Sequence, residues 1–246
     1  MDLDRRLASR TTSSRLIGAL FLAGFLFYGV GFALVTSVVS RPHFLATVPE
    51  HRTTLLLGVF LMLVNTVVDV GKGVLLLPVL ARHSTRAAHA YLATMVVEVV
   101  LLAGGALLFV LLVPLSDEVP AGWASGVADL LVDANDSAYQ LAEMLLGLGA
   151  LTLTFVLLRT RLVPRGLALL GVVGYALLAV GSAADLLGAQ VGLLLSLPGG
   201  LFEVGFALWL LVRGFAPAPY GDDAAVDSQV VVSEPAGDGG SLLVGA

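Results

Sequence analysis

Long apolar blocks separated by short polar stretches dominate this chain, whereas a soluble domain carries its apolar residues in periodic stripes. A bilayer hydrocarbon core of roughly 30 Å is spanned by about 20 helical residues, and the blocks have that length. The pattern therefore predicts an all-α, polytopic membrane bundle of six transmembrane helices, at residues 16–40, 54–80, 88–114, 137–158, 165–187 and 191–212.

The first block follows a basic stretch and could be mistaken for a secretory signal. Its apolar run is much longer than the roughly 7–15 residues of a signal peptide, and no clear cleavage site follows it. We interpret it as a membrane span that stays in the protein, preceded by a cytoplasmic segment at residues 1–15.

The arginines of the loops predict the orientation of the bundle, because cytoplasmic loops of membrane proteins are enriched in basic residues. One side would carry Arg5, Arg6, Arg10, Arg15, Arg82, Arg86, Arg159, Arg161, Arg165 and Arg213. The opposite side has only Arg41 and Arg52. We therefore expect both termini in the cytoplasm.

Two polar regions flank the predicted spans. Before span four, the spacing of Trp123, Val127, Leu130 and Leu131 predicts a short amphipathic helix on the outer membrane surface. After the transmembrane domain at 16–213, residues 214–246 are rich in Pro, Gly and Asp, and this composition predicts a disordered, acidic cytoplasmic tail.

Composition narrows the chemistry further. Hydrophobic residues make up 58% of the 246 positions and charged residues 13%, and there is no cysteine. Disulfides, thiolate catalysis and iron–sulfur ligation are thereby excluded. The formal net charge of -5 comes from the acidic tail and gives no indication of a nucleic-acid partner.

Ionisable residues inside the spans are the main indication of function. Asn65, Asp69 and Lys72 form a polar stripe in span two, and Glu98 and Glu203 lie near the middle of spans three and six. Glu143 and Asp185 lie nearer the outer ends of spans four and five, as peripheral candidates. Each charge at a helix centre costs roughly 2.5–3.5 kcal/mol to insert, so we expect these groups to face protein or water.

Two interpretations of the polar residues stay open. In the first, the polar residues serve only to hold helices together. Asp69 and Lys72 are three residues apart, so they share a helix face and can neutralise each other. The alternative is a polar cavity that binds a cation, protons or a small polar ligand, because ionisable groups inside a membrane are candidate functional sites.

Other chemistries find little support. All four histidines, His43, His51, His83 and His89, fall in loops or at span ends, which disfavours haem ligation and a serine–histidine protease. The sequence Gly71-Lys72-Gly73 lacks the remaining positions of a phosphate-binding loop. Asp69, Glu98 and Glu203 lie on separate helices, so their spacing does not indicate a metal site. We predict no catalytic residues, cofactor or metal.

Two stretches resemble a known family. Residues 158–175 contain a short basic loop ending in Pro164-Arg165, and residues 202–214 contain Glu203 followed by the Ala-Leu-Trp-Leu run at 207–210. Together they resemble the bacterial membrane proteins classified as domain of unknown function 4386. The resemblance implies about six spans and a bacterial plasma membrane, and it implies no activity.

Three functions remain in competition at this point. The buried carboxylates favour a cation- or proton-coupled transporter of small molecules. The short loops and the acidic tail are also typical of a non-catalytic membrane scaffold or regulatory module. An enzyme acting on membrane lipid is disfavoured because no nucleophile–base pair is apparent.

Overall fold

The computed structural model describes residues 2–216, without the side chains of residues 2–11, 120 and 121. Most of the acidic tail predicted at 214–246 lies outside the described residues. The described chain is helical: α1 (Asp2–Val39), α2 (Phe44–Ala81), α3 (Thr85–Val110), a short α4 (Leu112–Leu115), a 3₁₀ segment (Ser116–Ala121), α5 (Ala124–Thr160), α6 (Arg165–Leu186) and α7 (Gly192–Val212).

The prediction of six membrane spans is confirmed. Within the described residues, six helical segments are long and apolar enough to cross a bilayer, and each corresponds to one predicted span. At most 44% of the most apolar window of any span is buried inside the protein. The outward faces carry side chains such as Val67, Val100 and Leu201, so the surrounding solvent is lipid.

The six spanning helices form a closed ring. Each packs against its neighbour in the chain, in the order α1, α2, α3, α5, α6 and α7, and α7 returns to pack against α1. Short connections make consecutive helices antiparallel. Because a ring of six helices has an interior, side chains from every helix can point toward a common centre.

Glycines set the close approach of neighbouring helices in this ring. A Cβ added to Gly31 on α1 would lie 2.7 Å from the carbonyl oxygen of Gly58 on α2. A Cβ added to Gly174 on α6 would lie 2.6 Å from the backbone nitrogen of Gly199 on α7. Lipid gives helices no hydrophobic drive to associate, so contacts of this kind supply much of the packing energy.

The buried apolar side chains form two separate clusters along the ring. One includes Phe21, Leu76 and Phe206, and the other includes Val35, Leu55 and Phe109. The polar stripe of α2 falls between Met62 of the second cluster and Leu76 of the first. The intramembrane charges therefore occupy a polar layer between two apolar layers.

The amphipathic stretch before span four differs from the prediction in one respect. It is helical, but it forms the first turns of α5 rather than a separate helix on the membrane surface. No proline interrupts residues 124–160, so nothing ends the helix between the two parts. Trp123 and Leu130 are exposed as expected, whereas Leu131 packs against the second apolar cluster.

Span two also begins earlier than predicted. The helix starts at Phe44 and continues through a kink at His51, whose backbone angles are not helical. Pro49 lies two residues before this kink and removes one backbone donor from the first turns of the helix.

Candidate functional site

A polar cavity of about 230 Å³ lies inside the ring, and all six spanning helices contribute to its lining. The structure brings together the residues predicted as an intramembrane polar site and adds one of the peripheral candidates. These lining residues are Asn65, Asp69, Lys72, Glu98, Glu143 and Glu203.

The three residues of the polar stripe on α2 bind one another through a hydrogen bond and a salt bridge. Asn65 Nδ2 donates a hydrogen bond of 2.7 Å to Asp69 Oδ2, and Lys72 Nζ lies 2.5 Å from Asp69 Oδ1. Spacings of four and three residues place all three side chains on one helix face. Lys72 Nζ also lies 4.9 Å from the centre of the Phe21 ring, which adds a cation–π contact. The aspartate and the lysine therefore compensate each other's charge inside the membrane.

Gly24 on α1 leaves room in front of this stripe. A Cβ added there would lie 3.2 Å from Asn65 Oδ1 and 3.3 Å from Lys72 Nζ. A residue with a side chain would crowd both polar groups. The glycine keeps this part of the cavity open.

Two buried acceptor oxygens of the site have no hydrogen-bond partner within the part of the chain that the structure describes. They are Asn65 Oδ1 on α2 and Glu98 Oε2 on α3, and each side chain is at most 5% exposed. Buried polar atoms are nearly always paired, and leaving one unpaired costs roughly 1–3 kcal/mol. Asn65 and Glu98 both line the cavity, so a ligand bound there can bring donors close to these oxygens.

Glu203 on α7 is held by a residue that the sequence did not indicate. The hydroxyl of Tyr175 on α6 donates a hydrogen bond of 2.8 Å to Glu203 Oε1. Tyr175 is 1% exposed, and its ring also packs against Phe202. A tyrosine inside an apolar span usually finds a hydrogen-bond partner for its hydroxyl. The position of Tyr175 within span five was therefore the one feature of the sequence that could have indicated this contact.

The two peripheral candidates have different environments. Glu143 on α5 lines the cavity together with the rings of Tyr28 and Tyr139, which stack with centroids 5.7 Å apart. These tyrosines were not predicted, because only the assembled ring brings α1 and α5 to the same cavity.

Asp185 does not line the cavity. Its Oδ1 accepts hydrogen bonds from the backbone N–H groups of Val191 and Gly192, at 2.6 and 2.8 Å. Gln140 donates a further bond of 3.3 Å to Oδ2. Asp185 therefore fixes the connection between α6 and α7 by satisfying free N–H groups at the start of α7.

The charge of the cavity favours cations. Asp69 and Lys72 cancel, and Glu98, Glu143 and Glu203 remain, with Lys72 as the only basic residue of the lining. Such a site can hold protons or a cation with N–H donors. Among the described residues, no group of three or more His, Cys, Asp or Glu side chains is arranged to hold a metal ion.

A second cavity, of about 520 Å³, lies where the α1–α2 connection meets the start of α5. Its ionisable residues, Arg41, His43, Asp129 and Asp133, are exposed. Charges at the end of a bundle are hydrated, so they avoid the free-energy cost of placing a charge inside the membrane. Their presence there is ordinary and does not indicate a binding site. The interior cavity is therefore the stronger candidate.

Comparison with known proteins supports the resemblance seen in the sequence. A family described as Domain of unknown function (DUF4386) matches residues 16–214, which contain α2 to α7, most of the membrane-spanning part of α1 and every residue of the polar cavity. No curated protein and no solved structure matches the chain.

Proposed function

The chain belongs to the DUF4386 family of domains of unknown function, and we propose that this integral membrane protein carries a small cationic solute across the membrane. The solute occupies the cavity inside the ring, held by Glu98, Glu143 and Glu203. Protons that bind to the same carboxylates when the solute leaves couple its movement to a proton gradient.

One observation carries this proposal: Glu98 Oε2 and Asn65 Oδ1 are buried without a hydrogen-bond partner among the described residues, and both residues line the same cavity. A polar stripe that served only to hold helices together would pair its acceptors with donors on neighbouring helices, as Tyr175 and Glu203 do. A buried acceptor without a hydrogen bond is costly in a low-dielectric region. These two acceptors therefore favour a ligand that carries hydrogen-bond donors.

The size of the cavity limits the solute. Pockets for drug-sized ligands measure roughly 300–1,000 Å³, so a cavity of about 230 Å³ suits a small molecule. An ammonium or guanidinium group has a positive charge for the glutamates and N–H donors for the two vacant oxygens.

We further propose that the bundle lies in a bacterial plasma membrane with both termini in the cytoplasm, as the arginine distribution predicts. The turn that joins α2 and α3 and the turn that joins α5 and α6 would then be cytoplasmic. Reporter domains fused at both ends should indicate the same side of the membrane.

Uptake of radiolabelled guanidinium by proteoliposomes tests the carrier proposal, because this ion stays charged and crosses lipid poorly. With the inside of the liposomes more acidic than the outside, protons leave in exchange for guanidinium, and we expect uptake well above that of empty liposomes. Glu98→Gln and Glu203→Gln should reduce uptake to the background level, because each replaces a carboxylate by an uncharged amide of similar shape.

Asp185→Asn is the matched control. It makes the same change from carboxylate to amide, but Asp185 lies outside the cavity. Its uptake should equal that of the unaltered protein. Equal uptake by all three variants, or uptake by the unaltered protein no faster than by empty liposomes, contradicts the proposal.

A further inference from the structure

The packing of α1 against α7 is close at one end only. A Cβ added to Gly18 on α1 would lie 2.7 Å from the carbonyl oxygen of Ala207 on α7. Beside this contact, the rings of Phe21 and Phe206 meet edge to face with centroids 5.3 Å apart. The two helices leave no gap here.

The helices separate toward their other ends. Phe25 and Gly29 lie 7 and 11 residues after Gly18, so they continue the stripe of α1 that faces α7. Both are exposed, and a Cβ added to Gly29 would meet nothing within 4 Å. On α7, a Cβ added to Gly200 would have the ring of Phe25, at 3.9 Å, as its nearest neighbour. A crevice therefore lies between the two helices.

This crevice continues into the polar cavity. Phe25 and Gly29 on one side and Ser196 and Gly200 on the other line the same cavity as Glu203. Phe25 and Gly29 are the only exposed residues of that lining in the described part of the chain. The interior is therefore open on the flank where α1 and α7 separate, which faces lipid.

We infer that the cavity takes up its ligand sideways from the bilayer, and that the ligand is an amphipathic amine with a single apolar chain. This inference rests on the proposed function and specifies its substrate class. The ammonium group lies among Glu98, Glu143 and Glu203, and the apolar chain lies in the crevice against Phe25. The rings of Tyr28 and Tyr139 add aromatic surface that attracts an ammonium group.

A phospholipid with an amine headgroup fits this site less well. It carries a phosphate beside its ammonium group, and the cavity presents carboxylates to that phosphate. Lys72, the only cation among the lining residues, is already paired with Asp69. A free amine avoids this repulsion.

Thermal unfolding of the protein in phosphatidylcholine nanodiscs, followed by tryptophan fluorescence, tests the inference. Octylammonium chloride should raise the Tm of the unaltered protein by several degrees, because a ligand that binds only the folded state stabilises it. The uncharged analogue 1-octanol should not raise it. Glu203→Gln should lose the response to octylammonium.

Two variants fill the crevice, and one matched variant does not. Gly29→Leu places a side chain where nothing lies within 4 Å, and Gly200→Leu places one beside Phe25. Gly104→Leu makes the same change at an exposed glycine of α3 that also has nothing within 4 Å. We expect the octylammonium shift to disappear in the first two and to persist in Gly104→Leu.

Equal shifts in Gly29→Leu, Gly200→Leu and Gly104→Leu would overturn the lateral site, and so would the lack of any shift in the unaltered protein. A Tm that phosphatidylethanolamine in the nanodiscs raises by more than octylammonium does, with no octylammonium added, would also overturn it in favour of a phospholipid ligand. Guanidinium uptake by the unaltered protein judges the carrier proposal separately. That proposal can therefore hold when the lateral site fails.

Discussion

Tyr175 on α6 donates a hydrogen bond of 2.8 Å to Glu203 on α7, across the boundary between the first apolar cluster, which includes Phe21 and Phe206, and the polar cavity. The tyrosine belongs to the apolar cluster and the glutamate to the cavity. The bond therefore fixes one oxygen of a cavity carboxylate to a rigid, fully packed side chain. Rigid support of this kind orients a binding group before its ligand arrives.

Replacing Tyr175 by Phe should weaken this support without removing the charge of Glu203. Hydrogen bonds to charged groups contribute about 1.5–3 kcal/mol, so the free energy of unfolding should fall by about that amount. Guanidinium uptake should fall less than it does in Glu203→Gln. In a Glu203→Leu background, Tyr175→Phe should no longer destabilise the protein, and an equal loss in both backgrounds would contradict the assignment.

Lys72→Met should be among the most destabilising single changes in the polar layer. It leaves Asp69 as a buried carboxylate without its cation, and breaking a buried pair costs about 3–5 kcal/mol. The double variant Lys72→Met/Asp69→Asn should recover most of this loss, because no unpaired charge remains. Thermal unfolding of both variants in the same nanodiscs provides the comparison. A double variant no more stable than Lys72→Met would show that the two groups do not compensate each other.

Gly174→Ala should disturb the contact between α6 and α7. The added Cβ would lie 2.6 Å from the backbone nitrogen of Gly199, so the helices must move apart. Overpacking of this kind costs about 1–3 kcal/mol. Gly166→Ala is the control on the same helix, because its Cβ meets nothing within 4 Å, and we expect unchanged or slightly higher stability. Equal effects on the Tm would contradict the close approach of the two backbones.

Asp185→Ala should separate a structural carboxylate from those of the cavity. The change removes the acceptor of the Val191 and Gly192 N–H groups, and loss of such a helix cap costs about 0.5–2 kcal/mol. The Tm should fall while guanidinium uptake per folded protein stays the same. Glu143→Gln should show the reverse, with a small change in Tm and a large loss of uptake. The same loss of uptake in both would contradict the different roles assigned to them.

The sequence was sufficient to predict the spans and the polar stripe of α2. Apolar length determines what crosses a bilayer, and the positions of Asn65, Asp69 and Lys72 on one helix face follow from helical periodicity alone. Helical periodicity alone could not place Glu98 and Glu203 beside that stripe. Their positions depend on the order of the helices around the ring.

The rest of the site depends on contacts between distant parts of the chain. Tyr28 and Tyr139 meet because α1 and α5 face the same interior, and no local pattern encodes that contact. Glu143 and Asp185 looked equivalent in the sequence, since both lie in the outer part of a span. They differ because Asp185 lies beside the free N–H groups of α7, whereas Glu143 points into the ring.

Water accessibility of the cavity is the most direct test of the central claim that the intramembrane carboxylates line a ligand site. The chain has no cysteine, so a single introduced thiol reports on its own position. Leu102 lines the cavity on α3, and Val100, which is 64% exposed to lipid, lies two residues away at nearly the same depth.

The reagent 2-aminoethyl methanethiosulfonate is small, cationic and water-soluble, and it modifies thiols that water reaches. In intact membranes we predict rapid modification of Leu102→Cys, slowed by guanidinium, and little modification of Val100→Cys. A Leu102→Cys thiol as unreactive as Val100→Cys would indicate a dry, collapsed interior and would contradict the account.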